Sequence, residues 1–373
     1  MKDFIPVNEP DLNGNEKKYL QECVDTGWIS SEGPFVEKLE IGMAKLCNRK
    51  HAFAVCNGSA ALELAVKAIG VGKGDEVIMP TFTIISCALA VIRSGAIPVY
   101  VDADPETWNM VVEEIEAKIT ERTKAIMAVH IYGLTVDMEP LLNLAEKYKL
   151  KVIEDAAEVI GQTYKDKPCG TFGDISTFSF YPNKHITTGE GGMVLVNDEE
   201  LADRCNRLRN LSFGKSDRFI HKEQGWNFRI SNLQAAIGVA QLERLDQFIR
   251  KKREIGLFYG KHLEDCPHIQ LPLVRTQAVE NIFWIYGVVL NNESVGNAKE
   301  IMRKLSEKNI GTRPFFHPMH LQPALHDEHS RPKLSYPISE NLAKMGFYLP
   351  SGLTLSQEEI SFVSKQLKSI LVH

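Results

Sequence analysis

The sequence predicts an α/β protein with a mostly parallel central sheet and a smaller α+β region toward its C-terminal end. Between residues 51 and 196, short Val/Ile-rich runs such as EVIMP, IPVYV and KVIED alternate with segments of helical period. Near-continuous apolar strands separated by helices indicate a parallel sheet covered on both faces. A long helical pattern from residue 233 then leads into a stretch of scattered strands and helices. The expected domains are residues 1–250, with an N-terminal arm, and residues 251–373. A chain of 373 residues is long enough for two cores.

The chain opens with a Pro-punctuated extended arm. A helix is expected over 13–26, capped by Asn13 or Asn15, with Leu20, Cys23 and Val24 on one face. The turn WISSEGP at 28–34 presents Trp28 and two hydroxyls, which either line a pocket or simply connect to a helix over 34–47. The run AFAV ends at Cys56-Asn57-Gly58-Ser59, and the helical run AALELAVKAIG begins at once. Small residues at a helix N-terminus leave backbone N–H groups aimed at one spot, a ready cradle for phosphate. Ordinary capping by Asn57 or Ser59 is the alternative. From residue 75 to 102 the pattern is strand, helix, strand (DEVIMP, TIISCALAVIRSG, IPVYVD), and alternation continues through TKAIMAVHIYG, DMEPLLNLAEKYK and LKVIEDAAEVIG.

The chemistry gathers at residues 178–196, FSFYPNKHITTGEGGMVLV. Lys184 stands between an apolar strand and a Gly-rich run, where lysine is seldom found unless its charge is paired. Desolvation there frees the amine as a nucleophile for carbonyl chemistry, with pyridoxal phosphate (PLP) the leading cofactor. The alternative is a lysine with a buried stem and a head in water. Ligands of parallel sheets bind outside the carboxyl ends of the strands. Gly58-Ser59, Asp155 and Lys184 each follow a strand and are expected on one rim. Asp155 either caps a helix beginning near Ala156 or pairs with a pyridinium nitrogen.

Residues 210–232, containing RFIHKEQGWNFRISN, read as a solvated loop or as one reaching a neighbouring subunit's site. A single long helix is expected from residue 233. Farther on, strands are expected near 282–290, a helix over 297–308 and helical character over 356–371. Between them TRPFFHPMH places Arg313, His317 and His320 among aromatics, suited to an anionic substrate. H-x-x-H without a third ligand nearby is weak evidence for zinc, and no metal is expected.

The bulk properties exclude several classes. Charged residues make up 24% and the net charge is −5 without a basic block, which argues against nucleic acid. The seven cysteines form no C-x-x-C pair, disfavouring a disulfide framework and suggesting a reducing, cytoplasmic setting. No apolar run is long enough to span a membrane, and the opening residues lack the apolar core of a signal peptide.

FSFYPNK with ITTGEGGMV, VIEDAAE, the NGS helix start and GWNFRISNLQAAIGVAQLERLD together resemble the DegT/DnrJ/StrS family of PLP-dependent sugar-nucleotide aminotransferases, over nearly the whole chain. The resemblance implies fold type I, the aspartate aminotransferase-like fold. It implies that Lys184 holds PLP covalently and shuttles the proton, and that Asp155 pairs with the pyridine nitrogen. Gly58, Ser59 and Ser179 are implied to hold the phosphate, Asn227 to reach it from the other subunit of a homodimer, and Glu158 to lie beside the phenolic oxygen. Where the family usually stacks an aromatic residue on the ring, this chain has Ile84, so either Phe82 moves in or stacking is weaker. Lysine at 184, with His185 after it, favours amination over the dehydration seen in relatives carrying histidine.

Four stretches, DTGWISSEG, HIYG, FWIY and RPFFHPMH, look closest to members that convert GDP-4-keto-6-deoxymannose to its 4-amino product with L-glutamate as donor. Such members serve surface-polysaccharide (O-antigen) biosynthesis. Residues 210–224 fit those members less well, which leaves UDP- or dTDP-linked ketosugars as alternatives. Trp28, Tyr181, His185, Arg229, Trp284, Arg313, His317 and His320 are the candidate substrate contacts. A PLP-binding regulator without turnover is a competing reading. A nucleotide-binding protein without PLP is disfavoured, since no G-x-G-x-x-G follows the first strand.

Overall fold

The computed structural model describes residues 3–213, 219–292, 294, 296–325 and 334–372. Helices α1 (Glu16–Thr26) and α2 (Pro34–Leu46) lead into β1 (His51–Val55), α3 (Gly58–Ala68), β2 (Glu76–Pro80), α4 (Ile85–Arg93), β3 (Ile97–Val101), β4 (Thr123–Val129), α5 (Met138–Tyr148) and β5 (Lys151–Asp155). A small hairpin, β6 (Thr163–Tyr164) and β7 (Lys167–Pro168), precedes β8 (Ile175–Ser179), β9 (Gly192–Val196) and α6 (Glu199–Leu208).

The seven-stranded sheet runs β1-β9-β8-β5-β4-β2-β3. All neighbours pair in parallel except around β9, which is antiparallel to both β1 and β8. The carboxyl ends of the other six strands therefore share one rim, and β9 begins there. The loop joining β8 to β9 must lie on that rim, and it carries Lys184. Side chains alternate with period two. Phe53, Val55, Val77, Met79, Ala125, Met127, Ile153, Ile175, Val194 and Val196 pack with α3, α4 and α6. Ala52, Ala54, Phe178, Met193 and Leu195 face α2 and the helix over 232–242, while Ile78, Val101, Ile126, Ala128 and Val152 face α5. Asp155 has the parity of Ile153, which sends it to the α3–α4 face.

Two helices follow, α7 (Asn232–Leu242) and α8 (Leu245–Leu263), where the sequence suggested a single long one. The break at Glu243-Arg244 has a physical cause. Arg244 turns to Asp11, with Nη2 to Oδ2 at 2.7 Å, and the Glu243 carboxylate accepts from Tyr19 (2.6 Å) and Asn15 (2.7 Å). α8 continues through residue 250 to a four-stranded sheet of order β10-β11-β13-β12: β10 (Ile269–Gln270), β11 (Tyr286–Leu290), β12 (Arg313–Pro314) and β13 (Gly346–Leu349). Its helices are α9 (Ala298–Ser306), α10 (Pro337–Met345) and α11 (Gln357–Val372). The arm is pinned to this part of the chain, Ile5 donating to the Asn309 carbonyl (2.9 Å) and accepting from Gly311 (2.8 Å).

The segment 281–284 crosses the loop after β4 at Gly133, whose φ is +101°. A Cβ there would lie 2.6 Å from Asn281 Oδ1 and 2.8 Å from the backbone nitrogens of Phe283 and Trp284. Gly133→Ala combines strain with a clash and is expected to destabilise the protein by about 2 kcal/mol or more, read as a lower denaturant midpoint at unchanged slope.

Candidate active site

A cleft of about 670 Å³ opens at the carboxyl rim. Its wall includes Gly58, Ser59, Ile84, Asp155, Glu158, Ser179, Tyr181, Lys184, Trp284 and Arg313, and also Val7, Asn8 and Pro10 of the arm. The three rim features expected from sequence do meet.

β5 delivers Asp155 to the floor, 3% exposed. Its Oδ1 accepts from Ala157 N–H (3.1 Å) and Thr177 Oγ1 (3.4 Å), and its Oδ2 from the Cys87 thiol (3.3 Å). The chain after Asp155 is a turn with no helix, so the capping role is not what holds this carboxylate. Burial pushes its pKa up, against these donors and the Lys184 charge. Glu158 follows in the same turn. Its Oε2 accepts from Tyr132 N–H (2.9 Å) and its Oε1 lies 3.6 Å from Lys184 Nζ. Burial raises Glu158 to about 7, with Lys184 acting in the opposite direction. Lys184 is pushed down by burial, with Glu158 and Asp155 opposing. Its Nζ sits 3.8 Å from the centroid of the Trp284 ring. The alternative of a lysine head in bulk water fails on this burial.

α3 points its N-terminus into the cleft. Asn57 caps it, accepting from Ala60 N–H at 2.8 Å, which leaves the Gly58 and Ser59 amides for a ligand. A Cβ on Gly58 would approach Ser179 Cβ to 2.8 Å, so only glycine lets β8 come this close. Ser59 Oγ lies 2.8 Å from Ser86 Oγ. A phosphate cradle, a buried acid and a desolvated amine in one cleft form the donor set that PLP requires, and the residues fit that cofactor.

Not every expected residue arrives. Ile84 lines the cleft, whereas Phe82 is fully buried against Tyr132, Phe315 and Phe316, with centroids 5.9–6.0 Å apart. Phe82 therefore does not move in to stack. His185 is a correction: it is 0% exposed, pushed down to about 3 by burial, and turned to the Ile282 carbonyl. The same holds for His320, which is buried between Thr81 Oγ1 (2.8 Å) and Glu340 (3.1 Å). His317 turns to the Leu321 carbonyl outside the cleft. Trp28 is exposed away from the cleft wall, and Arg229 is held by Asn210. Asn227 is exposed and outside this chain's own cleft. Part of the loop before it, residues 214–218, lies outside the described residues.

Sequence reasoning missed Cys87, Ser86, His130, Phe316 and Tyr348. The first two lie on α4 one turn beyond PTFT, and helical spacing back to that rim was the available signal. Arg313 and Tyr348 stand opposite each other across β12 and β13, a pairing no local pattern announces. His130 accepts from Val136 N–H at Nδ1 (3.1 Å), so Nε2 donates to Glu154 (3.2 Å). Glu154, His130 and Cys169 are close enough to share a metal, but Glu154 is occupied by the Gly170, Phe172 and Gly173 amides.

The sheet and the amine on its return loop define the fold as that of the PLP-dependent transferases of fold type I. The chain belongs to the DegT/DnrJ/EryC1/StrS aminotransferase family, whose model matches residues 10–368. It is 43% identical to the GDP-perosamine synthase of Escherichia coli O157:H7 over 98% of both chains. It is 40% identical to the GDP-perosamine synthase of Vibrio cholerae, over 98% of this chain and 99% of that one. The solved structure of DesV from S. venezuelae superposes with a TM-score of 0.91 at 30% identity, covering both chains fully. Among the described residues no helix is long and apolar enough to cross a membrane.

The Lys184 charge lowers the Glu158 pKa against burial, so removing it must raise that pKa. In cofactor-free Lys184→Ala, the Glu158 carboxyl is expected to titrate above about 7, followed by carbon NMR with selective labelling.

Proposed function

We propose that the protein is a PLP-dependent aminotransferase that converts GDP-4-keto-6-deoxymannose to GDP-perosamine with L-glutamate as amino donor, for surface-polysaccharide (O-antigen) synthesis in the cytoplasm. The observation that carries the chemistry is Lys184, desolvated and 3.6 Å from Glu158, in a cleft floored by Asp155. The identity to two GDP-perosamine synthases over 98% of the chain supports the substrate.

Bound in this cleft, PLP would supply an electron sink for the carbon that gains or loses a proton. Gly58 and Ser59 amides, with Ser59, Ser86 and Ser179 hydroxyls, would hold its phosphate at the α3 N-terminus. Asp155 would hold a proton on the pyridine nitrogen, an arrangement that offsets the burial of its own charge. Lys184 would anchor the cofactor and then, as a free amine, carry the proton between cofactor and substrate carbons. Proximity of this kind is worth up to ~7–11 kcal/mol in favourable cases. Glu158 would offset the burial of the Lys184 charge and adjoin the phenolic oxygen. Ile84 would give dispersion contact on one side of the ring. Tyr181, Trp284 and Arg313 line the cleft and would meet the sugar nucleotide, Arg313 suiting its diphosphate. Trp28, Asn227 and Arg229 lie outside this chain's own cleft. In this reading they serve the partner's site in a homodimer with shared active sites.

A panel of GDP-, UDP- and dTDP-4-keto-6-deoxy sugars with glutamate, read by mass spectrometry, is expected to give the amino sugar from the GDP substrate. Conversion of only UDP or dTDP sugars overturns the nucleotide, and failure of glutamate to convert the bound cofactor to its amine form overturns the aminotransferase. Lys184→Ala is expected to lose the visible cofactor band and more than about 10³-fold in rate. Arg313→Ala removes a charge-assisted contact worth roughly 1.5–3 kcal/mol. It is expected to raise KM for the nucleotide sugar by about tenfold or more, with a smaller change in kcat.

A further inference from the structure

α8 carries a cation that this chemistry does not use. The buried residues of α8 include Phe248, Ile249, Lys252, Ile255, Gly256 and Tyr259, a helical stripe in which Lys252 occupies a place suited to an aliphatic side chain. It is 1% exposed, and among the described residues no carboxylate offsets its burial. Its Nζ donates instead to two backbone carbonyls, Trp284 at 2.8 Å and Ser351 at 2.6 Å. Burial alone lowers its pKa to about 7. A buried charge without a counter-ion is costly, and a hydrophobic residue of similar volume would hold the helix more cheaply.

Both carbonyls lead to the reactive lysine. From Trp284, the indole N–H donates to the Asn183 carbonyl at 2.6 Å while the ring covers Lys184 Nζ at 3.8 Å. From Ser351, the N–H donates to the Val7 carbonyl at 3.0 Å, and the next arm residue, Asn8, donates through Nδ2 to the same Asn183 carbonyl at 3.2 Å. The two branches thus close on the peptide that joins Asn183 to Lys184. We propose that Lys252 is a positioning residue for Lys184: it ties the Trp284 segment and the N-terminal arm to one point on α8, so that the indole stays over the amine and keeps water from it. The proposal rests on the reading of Lys184 as the reactive amine.

The test uses full-length cofactor-free protein. Acylation of Lys184 by acetic anhydride is followed against pH by peptide-resolved mass spectrometry in the native chain, Lys252→Met, Trp284→Phe and the double variant. Loosening the indole readmits water, so Lys252→Met is expected to raise the Lys184 titration by about one unit. Trp284→Phe, which keeps a ring but deletes the N–H to Asn183, is expected to shift it the same way. The double variant is expected to shift it by less than the sum, because the two act in series. PLP is expected to bind more weakly to each, by fluorescence titration. If the Lys252→Met curve superimposes on the native one, or the two shifts add, Lys252 is a core support only. Should Lys252→Met not fold, Lys252→Gln, which keeps one amide donor, is read by the same criterion. A native chain that shows the Lys184 titration yet takes up no PLP overturns the proposed function instead.

Discussion

The structure is arranged around keeping one amine dry without leaving its charge unanswered. Moving an ammonium out of water costs several kcal/mol even after relaxation, so Lys184 must be partnered, neutral, or poised between the two. Glu158 at 3.6 Å makes it the third. Burial lowers the amine and raises the acid to about 7, so the two titrations are drawn toward each other. Glu158 itself is fixed by the N–H of Tyr132, whose φ of 56° is a conformation a bulky residue adopts only under tertiary constraint. The constraint is visible: Tyr132 is fully packed among Phe82, Trp108, Trp284, Phe315 and Phe316. The aromatic cluster between the two sheets therefore sets the position of the acid that tunes the amine.

The same logic explains the reversed strand. Were β9 parallel to β8, the connection would have to cross the sheet, and Lys184 would sit on a long crossover. The antiparallel return keeps the loop over 180–191 short, and both its ends are held by the ladder, Ser179 opposite Gly192. Within it, Phe180 donates to Gly191 (2.8 Å) and Thr188 to Phe180 (3.0 Å), so the lysine stands on a closed loop rather than a free one. A site that must hold a reacting atom to within a fraction of an ångström is better served by such a loop.

Much of this was legible in the sequence because it is local. Strands with apolar runs, the Asn57 cap, the acid at the end of KVIED and the lysine before a Gly-rich run all announce themselves within a few residues. What was not legible is tertiary. The α7–α8 break follows from Arg244 binding Asp11 and Glu243 binding Tyr19, partners more than 200 positions away. His185 and His320 look like ligands in a sequence, since histidine carries no sign of burial. The structure gives each a hydrogen-bonded place in the core. Arg313 reaches the cleft through a two-residue strand, too short for any periodicity to reveal. Cys87 reads as a small core residue, and its thiol matters only because α4 packs Sγ 3.3 Å from Asp155.

The cleft also shows why three distant parts of the chain are needed for one lysine. The sheet supplies the floor, but the amine is also covered by the Trp284 ring, and Trp284 belongs to the segment that enters β11. The carbonyl beside Lys184 is shared by that indole and by Asn8 of the arm. Neither the arm nor the 281–284 segment has strand partners there in the large sheet, so single backbone bonds such as Ser351 N–H to the Val7 carbonyl (3.0 Å) are joined by side chains: Arg244 on Asp11, Lys252 on Trp284 and Ser351, Asn281 on the Leu273 carbonyl (2.9 Å). Backbone ladders fix the acid and the phosphate cradle, whereas the cover over the amine is held by scattered backbone bonds and side-chain hydrogen bonds. Because such bonds contribute only about 0.5–1.5 kcal/mol net each, or somewhat more when charged, the cover is the part of the site most easily opened.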